Sequence, residues 1–184
     1  MDLPDPVMNH CGTCTLCCKV MGVKGDVRGV PLKKPRAGWC EHCEIGVGCK
    51  VYDDRPVACR TFRCSWLEGR EDGHDVPDEL RPDRCGVVFA PTTSETACSA
   101  HMDRNKPDAW KRGAAAAWIQ RIVAAGISVT LDYGDLAEVK TVLRPAGDIS
   151  ASPMLQRGRQ GKIVAQRVRF TPPDKDGMQF SIPE

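Results

Sequence analysis

Cysteine is the residue type whose number and spacing point to chemistry in this chain. Nine of the 11 cysteines lie between positions 11 and 64. The first four occur in the eight-residue stretch CGTCTLCC, which begins at Cys11. A thiolate is a soft anionic ligand, and two cysteines separated by two residues can reach one metal ion from a single tight turn. The spacing therefore predicts thiolate ligation of a metal.

A second segment contains five more thiols, and its pattern has to be compared with motifs for disulfide exchange and haem attachment. The five are Cys40, Cys43, Cys49, Cys59 and Cys64. The W-C-x-H-C pattern at 39–43 is similar to a disulfide-exchange motif, but that motif needs a preceding strand and a following helix. A stretch rich in proline and glycine precedes it here, and the sequence IGVG follows at 45–48. Haem attachment would require histidine at position 44, where Glu44 stands. Metal ligation is the favoured interpretation.

The alternative to metal is a disulfide framework, and the expected compartment argues against it. The chain begins with the acidic, proline-broken sequence MDLPDP, and it has no apolar run of signal-peptide length. It also lacks an 18-residue apolar window, so we expect no membrane partner and a cytoplasmic protein with reduced thiols. An odd number of cysteines leaves at least one thiol unpaired within the chain.

Composition indicates that the first part of the chain needs a stabilising metal. Hydrophobic residues make up 41% of the 184 residues, but aromatic residues only 5%. Large apolar residues are sparse between positions 1 and 70. A segment with so little core material is usually held by disulfides or by a metal whose binding energy is also folding energy. The formal net charge of +2 gives no global field that would attract nucleic acid.

The elements that carry the thiols suggest how the ligands divide. Residues 25–38 read as an irregular or hairpin connection with solvated basic side chains. A helix with Pro56 in its first turn would end near Gly69. Cys59 and Cys64 would project about 140° apart on one helix, so they serve different sites or the helix begins after Cys59. Neighbouring residues such as Cys17 and Cys18 also diverge, which predicts two adjacent centres that each draw thiols from residues 40–64.

The rest of the chain predicts an α+β fold. Strands are expected at 85–90 and 95–100 around a turn, and at 127–131, 136–143 and 162–170, the last at an exposed edge. The clearest helix spans 106–125, between a cap at Asn105 and Gly126. We expect a small, irregular, metal-organised cysteine-rich domain at 1–100 and a C-terminal region at 101–184 with one long helix and short strands. Cys85 and Cys98 are isolated and are expected to be small buried residues.

The pattern C-x2-C-x2-C-C, followed by C-x-(V/I)-Y-x2-R-P-x2-C-R-x-F-x-C, resembles the YkgJ-type cysteine-cluster family. That family is described as a zinc- or iron-chelating domain, and the resemblance covers residues 11–66. Its other matching positions are Tyr52, Arg55, Pro56, Arg60 and Phe62, whereas Cys43 stands where the family more often has an apolar residue. The resemblance implies eight metal ligands: Cys11, Cys14, Cys17, Cys18, Cys40, Cys49, Cys59 and Cys64.

The function expected from these features is metal binding, by a structural or metal-handling module. Two four-thiolate zinc sites would use all eight residues. Cys11, Cys14 and Cys17 also have the opening spacing of a four-iron ferredoxin cluster, whose fourth cysteine is remote. The sequence identifies no catalytic residue and no protein partner. Arg55 and Arg60 lie next to the clustered thiols in the sequence, and we expect their positive charges to offset the negative charge of the thiolates.

Two further functions stay open. One is an iron–sulfur-dependent enzyme, because a related cysteine arrangement occurs in flagellin lysine methylase; no phosphate-cradling loop or nucleotide fingerprint accompanies it here. The other is a nucleic-acid-binding adaptor that uses the basic segment 157–169, although Phe170 is the one aromatic residue nearby.

Overall fold

Helices and strands both occur along the chain, which confirms the α+β class. The structure, a computed structural model, describes residues 11–92, 97–134, 139–144, 162–167, 169–170 and 180–181. The described residues contain five α-helices: α1 Cys17–Val20, α2 Val57–Thr61, α3 Ser65–Glu71, α4 Pro82–Cys85 and α5 Gly113–Ala124. Short 3-10 helices occupy Asp78–Leu80 and Ala109–Lys111. None of these helices is long and apolar enough to cross a membrane.

Two small hairpins lie in the cysteine-rich part. Strands β1 (Val23–Val27) and β2 (Val30–Lys34) pair antiparallel, and so do β3 (Cys43–Glu44) and β4 (Gly48–Cys49). The first hairpin reverses through Arg28 at φ 51° and Gly29 at φ 79°. Two positive φ angles match the right-handed twist of the flanking strands, so the connection predicted at 25–38 is a tight hairpin.

A five-stranded mixed sheet follows. Its strands are β5 (Val87–Pro91), β6 (Ala97–Met102), β7 (Ser128–Asp132), β8 (Val139–Arg144) and β9 (Lys162–Arg167), and they lie side by side in that order. β6 runs parallel to β7 and β8 parallel to β9, whereas the other two pairs are antiparallel. The parallel β6–β7 pair requires a crossover, which α5 supplies. β9 is the last strand in this order, as predicted for an edge. A further pair joins β10 (Arg169–Phe170) to β11 (Phe180–Ser181).

The main helix is shorter than predicted. It begins at Gly113 rather than at 106, because Arg112 is extended at φ −134° and Gly113 takes a left-handed φ of 53°. Asn105 is not its cap; its N–H group instead donates to Asp103 Oδ1 at 3.0 Å. The buried face of α5 consists of Ala115, Ala116, Ile119, Ile122 and Val123. Helical spacing from Trp118 and Ile122 predicts Ala117 and Ala125 on the same apolar stripe, but both are exposed.

The hydrophobic core belongs mainly to the later part of the chain. The core cluster begins at Trp66 and includes residues of α3, α5 and the five-stranded sheet. Besides Pro56, the buried apolar side chains of residues 11–64 are Val20, Val27 and Leu32, and none of the four belongs to that cluster. The boundary expected at 100/101 lies within the span of β6, which pairs with β5 and β7. Residues 87–100 therefore share the sheet with residues 128–132.

The basic segment expected at 157–169 lies partly outside the described residues. Positions 157–161 and 168 are outside them, and 162–167 form β9.

Candidate metal centre

The first cysteine segment is a turn followed by a short helix. The N–H group of Cys14 donates to the carbonyl oxygen of Cys11 at 3.1 Å, and Gly12 within this turn has φ 55°. α1 then starts at Cys17, with Leu16 as its N-terminal flanking residue. Because Cys17 and Cys18 are consecutive helical residues, their side chains point in directions about 100° apart.

Two hydrogen bonds from backbone N–H groups join the second segment to the first. The N–H group of Cys40 donates to the carbonyl oxygen of Cys18 at 3.0 Å, and that of Gly46 donates to Thr15 Oγ1 at 3.1 Å. Cys43 and Cys49 stand opposite each other in the β3–β4 pair. The hairpin that carries Cys40, Cys43 and Cys49 therefore lies against α1.

A break between two helices separates the last two thiols. Cys59 lies in α2, whereas Cys64 is the residue before α3, with an extended ψ of 157°. Phe62 between them is also extended, at ψ 129°. A single helix across Cys59 and Cys64 is therefore wrong, and the two thiols face different surroundings.

The eight implied ligands line two adjoining cavities. The larger has a volume of about 280 Å³, and seven of the eight line it: Cys11, Cys14, Cys17, Cys18, Cys40, Cys49 and Cys59. The smaller, of about 20 Å³, is lined by Cys64 together with Cys11, Cys14 and Cys17. Cys11, Cys14 and Cys17 border both cavities.

Two overlapping sets of thiols can be distinguished by their electrostatic neighbours, with Cys18 also acting on Cys11 and hydrogen-bonded to Cys17. Cys18 and Cys40 act on both Cys49 and Cys59. Cys64 acts on both Cys11 and Cys14. With Cys17 added from the shared small cavity, we define the first thiol group as Cys11, Cys14, Cys17 and Cys64. The second thiol group is Cys18, Cys40, Cys49 and Cys59, with Cys43 beside it.

Three thiols of each group have pKa values raised by this environment: Cys11, Cys14 and Cys64 in the first, and Cys18, Cys49 and Cys59 in the second. Burial raises the pKa of Cys14 to about 12, with the charges of Asp83 and Cys64 adding to the effect. A hydrogen bond with Cys17, and then burial, raises the pKa of Cys18 far above its ordinary value. Burial also raises the pKa values of Cys59 and Cys64. A metal bound here would have to displace thiol protons, which makes its affinity increase with pH.

A buried lysine supplies positive charge to the second thiol group. Lys34 Nζ donates to the carbonyl oxygens of Lys19 and Pro35, at 3.1 Å each, and to that of Met21. Burial lowers the pKa of Lys34, while the neighbouring Cys40 and Cys18 act to raise it. The prediction of a solvated side chain at Lys34 is wrong. The sequence feature that could have indicated its burial is the alternating pattern of β2, in which Leu32 and Lys34 are the buried positions.

Arginines contribute further charge, and one of the two predicted is well placed. Arg55 lies among the charges that lower the pKa values of Cys11, Cys49 and Cys59. Its guanidinium stacks 3.4 Å from the centroid of the Tyr52 ring, and its Nε donates to the Tyr52 carbonyl oxygen at 2.6 Å. Arg60 is exposed on α2.

Arg63, which the sequence did not single out, also faces a thiol. Its charge lowers the pKa of Cys11. Its guanidinium is held by Glu71 Oε2, at 2.9 Å from Nε, and by the carbonyl oxygen of Arg60, at 2.8 Å from Nη1. Arg63, rather than Arg60, therefore acts beside Arg55 at the thiols.

The donor set suits a thiophilic metal, but its spacing does not suit one bare ion. Among the described residues, no three histidine, cysteine, aspartate or glutamate side chains converge as a metal site. The thiols instead line the wall of the 280 Å³ cavity. A cavity of about 150 Å³ already accommodates benzene. The arrangement fits a group larger than one ion, or closure of the thiols around separate ions.

The two remaining cysteines are held by carbonyl groups of the core. Cys98 is buried in β6, and its Sγ lies 3.5 Å from the carbonyl oxygen of Ala90. Cys85 is half-buried, with Sγ at 3.3 Å from the carbonyl oxygen of Val87. Burial raises the pKa of both thiols to about 11.

Two partly buried ion pairs, which the sequence analysis missed, join the cysteine-rich part to the sheet. Lys19, directly after Cys18, binds Asp103 Oδ2 at 2.5 Å. Arg36 binds Asp132, which is 3% exposed and also lies 3.5 Å from His101 Nδ1. Burial alone would raise the pKa of Asp132, but hydrogen bonds from His101 and the Gly134 N–H group, together with the charges of His101 and Arg36, hold it well below its usual range. The acidic residues of these pairs lie at or just beyond the carboxyl ends of β6 and β7.

No known family model, curated protein or solved structure matches this chain.

Proposed function

We propose that this protein binds zinc or iron through two thiolate centres and acts as a structural or metal-handling module. The observation that carries the proposal is that all eight implied ligands line two adjoining cavities. Residues 53 positions apart in the sequence, Cys11 and Cys64, are brought together in this way. The resemblance to the YkgJ-type cysteine-cluster family supports the same function.

The division of the thiols supports two centres of four ligands each. The first thiol group consists of three cysteines at x2 spacing and a remote fourth, Cys64. The second combines Cys18 with three thiols from the later segment. Each centre would thus take ligands from both segments, which avoids the strain of binding one ion through the consecutive Cys17 and Cys18.

The size of the larger cavity favours an iron–sulfur cluster over zinc. Four thiolates around one zinc ion lie about 2.3 Å from it and leave no space between them. The described thiols are instead spread around about 280 Å³. A cluster that contains inorganic sulfide would occupy more of this volume. It would also carry negative charge, which the neighbouring Lys34 and Arg55 would offset.

The cysteine-rich part has a physical need for a bound metal. Its buried apolar side chains, Val20, Val27, Leu32 and Pro56, do not join the core cluster. Metal–thiolate bonds formed only in the folded state would stabilise this part in place of a hydrophobic core.

The test is to purify the protein without oxygen and to measure zinc, iron and acid-labile sulfide together with the absorption spectrum. Iron and sulfide with visible absorption would support a cluster, and a colourless zinc protein would support the zinc form. Cys49→Ser should lower the metal content. Cys98→Ser, the same change at a buried thiol in β6, should not. A wild-type protein that stays free of metal after reconstitution with either metal would contradict the proposal.

A further inference from the structure

Among the described residues, Cys43 and Cys49 are the cysteines that stand opposite each other in a strand pair. The N–H group of Lys50 donates to the carbonyl oxygen of His42 at 2.8 Å, so a ladder hydrogen bond lies on the neighbouring pair. Opposite residues in an antiparallel ladder alternate between hydrogen-bonded and non-hydrogen-bonded pairs. Cys43 and Cys49 therefore form a non-hydrogen-bonded pair, in which the two side chains lie on the same face of the hairpin and close together.

The spacing of such a pair suits a disulfide bond. Opposite Cα atoms in a non-hydrogen-bonded antiparallel pair are about 4.5 Å apart. The Cα atoms of disulfide-linked residues are about 4.4–6.8 Å apart, a range that includes this spacing. Cys40 is nearer to Cys43 in the sequence, but the N–H group of Cys43 donates to its carbonyl oxygen at 3.0 Å, within a turn. A turn does not set two side chains opposite each other, so Cys49 is the better placed partner.

The turn between the two strands holds this register and leaves the pair within reach of solutes. The N–H group of Val47 donates to the carbonyl oxygen of Glu44 at 3.0 Å, which closes the hairpin. The geometry and length of the turn fix the register of the strands that it joins. Ile45 and Val47 in this turn are 62% and 59% exposed, and both cysteines are half-buried. A small oxidant at the surface of the hairpin therefore meets two thiols that are already aligned.

We propose that Cys43 and Cys49 are a redox-sensitive pair, which a low-molecular-weight disulfide such as oxidised glutathione converts into a cross-strand disulfide bond. One of the two sulfurs forms a bond with a sulfur of the oxidant, as the S–S bond of the oxidant breaks and one reduced thiol leaves. The second cysteine sulfur then forms the bond between the strands and displaces the other half of the oxidant. The two thiol protons of the protein end on the two released thiols. The protein is oxidised by two electrons, and the oxidant is reduced by two.

The bond would change the wall of the larger cavity. Cys49 lines that cavity, and so does the neighbouring Gly48. Oxidation would tie the strand of Cys49 to that of Cys43 and would remove one thiol from the cavity wall. In a reducing compartment, which the sequence predicts, disulfides are usually transient and act as redox sensors. The inference rests on the strand pair and not on the proposed function, because the pairing of the two sulfurs requires no metal.

The test equilibrates the full-length protein with oxidised glutathione, both as purified and after dialysis against EDTA. Free thiols are then blocked with iodoacetamide, and the protein is digested with trypsin and Glu-C protease. Cleavage after Glu41 and Glu44 places Cys40, Cys43 and Cys49 on separate peptides. In at least one preparation, mass spectrometry should find the peptides of Cys43 and Cys49 joined, with iodoacetamide labelling lost at both and kept at Cys40. Reduction with dithiothreitol should restore the labelling.

Two variants and an unfolded sample serve as controls. Cys40→Ser keeps the pair and should form the same disulfide to the same extent as the wild type, whereas Cys43→Ser should leave Cys49 fully labelled. In urea that unfolds the protein, the preference of Cys43 for Cys49 over Cys40 should disappear, because the folded strands set it.

Three outcomes would overturn the inference. They are a bond between Cys40 and Cys43 in the folded wild type, a glutathione adduct that never proceeds to a bond between the strands, and full labelling of Cys43 and Cys49 in both preparations. A preference for Cys49 that persists unchanged in urea would remove the role of the strand pair. The metal content of the wild type is measured separately, so none of these results decides the proposed function.

Discussion

The ion pair between Lys19 and Asp103 should be one of the strongest single links between the cysteine-rich part and the sheet. Its atoms are 2.5 Å apart, and the two side chains are only 15% and 11% exposed. Removal of one partner from a buried pair costs about 3–5 kcal/mol, because the other charge stays buried. In Lys19→Met, Asp103 would keep the Asn105 N–H group and the charge of Lys106. We therefore expect the lower end, a loss of about 3 kcal/mol in the free energy of unfolding.

Urea unfolding of the metal-loaded protein, followed by tryptophan fluorescence, measures this loss. With a denaturant dependence of about 2 kcal/mol per molar urea, the midpoint of Lys19→Met should fall by about 1.5 M. Lys111→Met is the matched control. Its pair with Asp108 is equally short, at 2.6 Å, but the side chains are 47% and 57% exposed. Such exposed pairs contribute little, so the control should show no measurable shift.

The pH dependence of the same measurement provides a second check. Burial acts to raise the pKa of Asp103, but Lys19 and the Asn105 N–H group outweigh it and lower the pKa below its ordinary value. A carboxylate with a lowered folded-state pKa stabilises the protein above its unfolded pKa, and this contribution is lost as the pH falls. The difference between wild type and Lys19→Met should therefore shrink below about pH 4. Equal midpoints for Lys19→Met and Lys111→Met at pH 7 would refute the reasoning.

Three other results are expected. Chelation at neutral pH should expose residues 11–64 to protease, because they have little apolar core; an unchanged digestion pattern and circular dichroism spectrum would contradict this. Arg55→Gln should weaken metal retention more than Arg60→Gln, by about tenfold, because Arg60 is exposed; equal retention would remove the role of Arg55. Asp132→Asn should lower stability at pH 7, with a difference from wild type that shrinks in acid because the pKa of Asp132 is lowered. A difference that is constant from pH 7 to pH 3 would show that its charge is not stabilising.

The strands of the sheet were predictable because their signals are local. Alternating or continuous apolar runs between turn residues predicted β5, β6, β7 and β8 near their observed positions. The start of α5 was not predictable from helix propensity, because residues 106–112 form turns and a 3-10 helix instead. The burial of Lys34 depends on three carbonyl groups, two of them from a different element, and a period-two pattern alone does not show that they are there.

At the candidate site, the division of the thiols between two centres stays a prediction, and the thiols of Cys17 and Cys18 are in hydrogen-bond contact. The divergence of Cys17 and Cys18 follows from the rotation per residue of a helix, which is a local property. The partners of Cys18 depend on how the Cys40–Cys49 hairpin lies against α1. Lys19 and Asp103 are 84 residues apart, and neither belongs to a motif. Long-range pairs of this kind depend on the packing of whole elements.

Three consecutive residues, Cys17, Cys18 and Lys19, belong to the first thiol group, the second thiol group and the ion pair with the sheet. A metal atom bound in either group would limit the positions open to α1, and the sheet limits the same helix through Asp103. Coupling between two binding events is reciprocal in free energy. If a bound metal strengthens the docking of α1 on the sheet by a given factor, the docking of α1 strengthens metal binding by the same factor. A ligand or partner that altered the carboxyl ends of β6 and β7 would then change the affinity with which the thiols bind a metal, if the proposed function is correct.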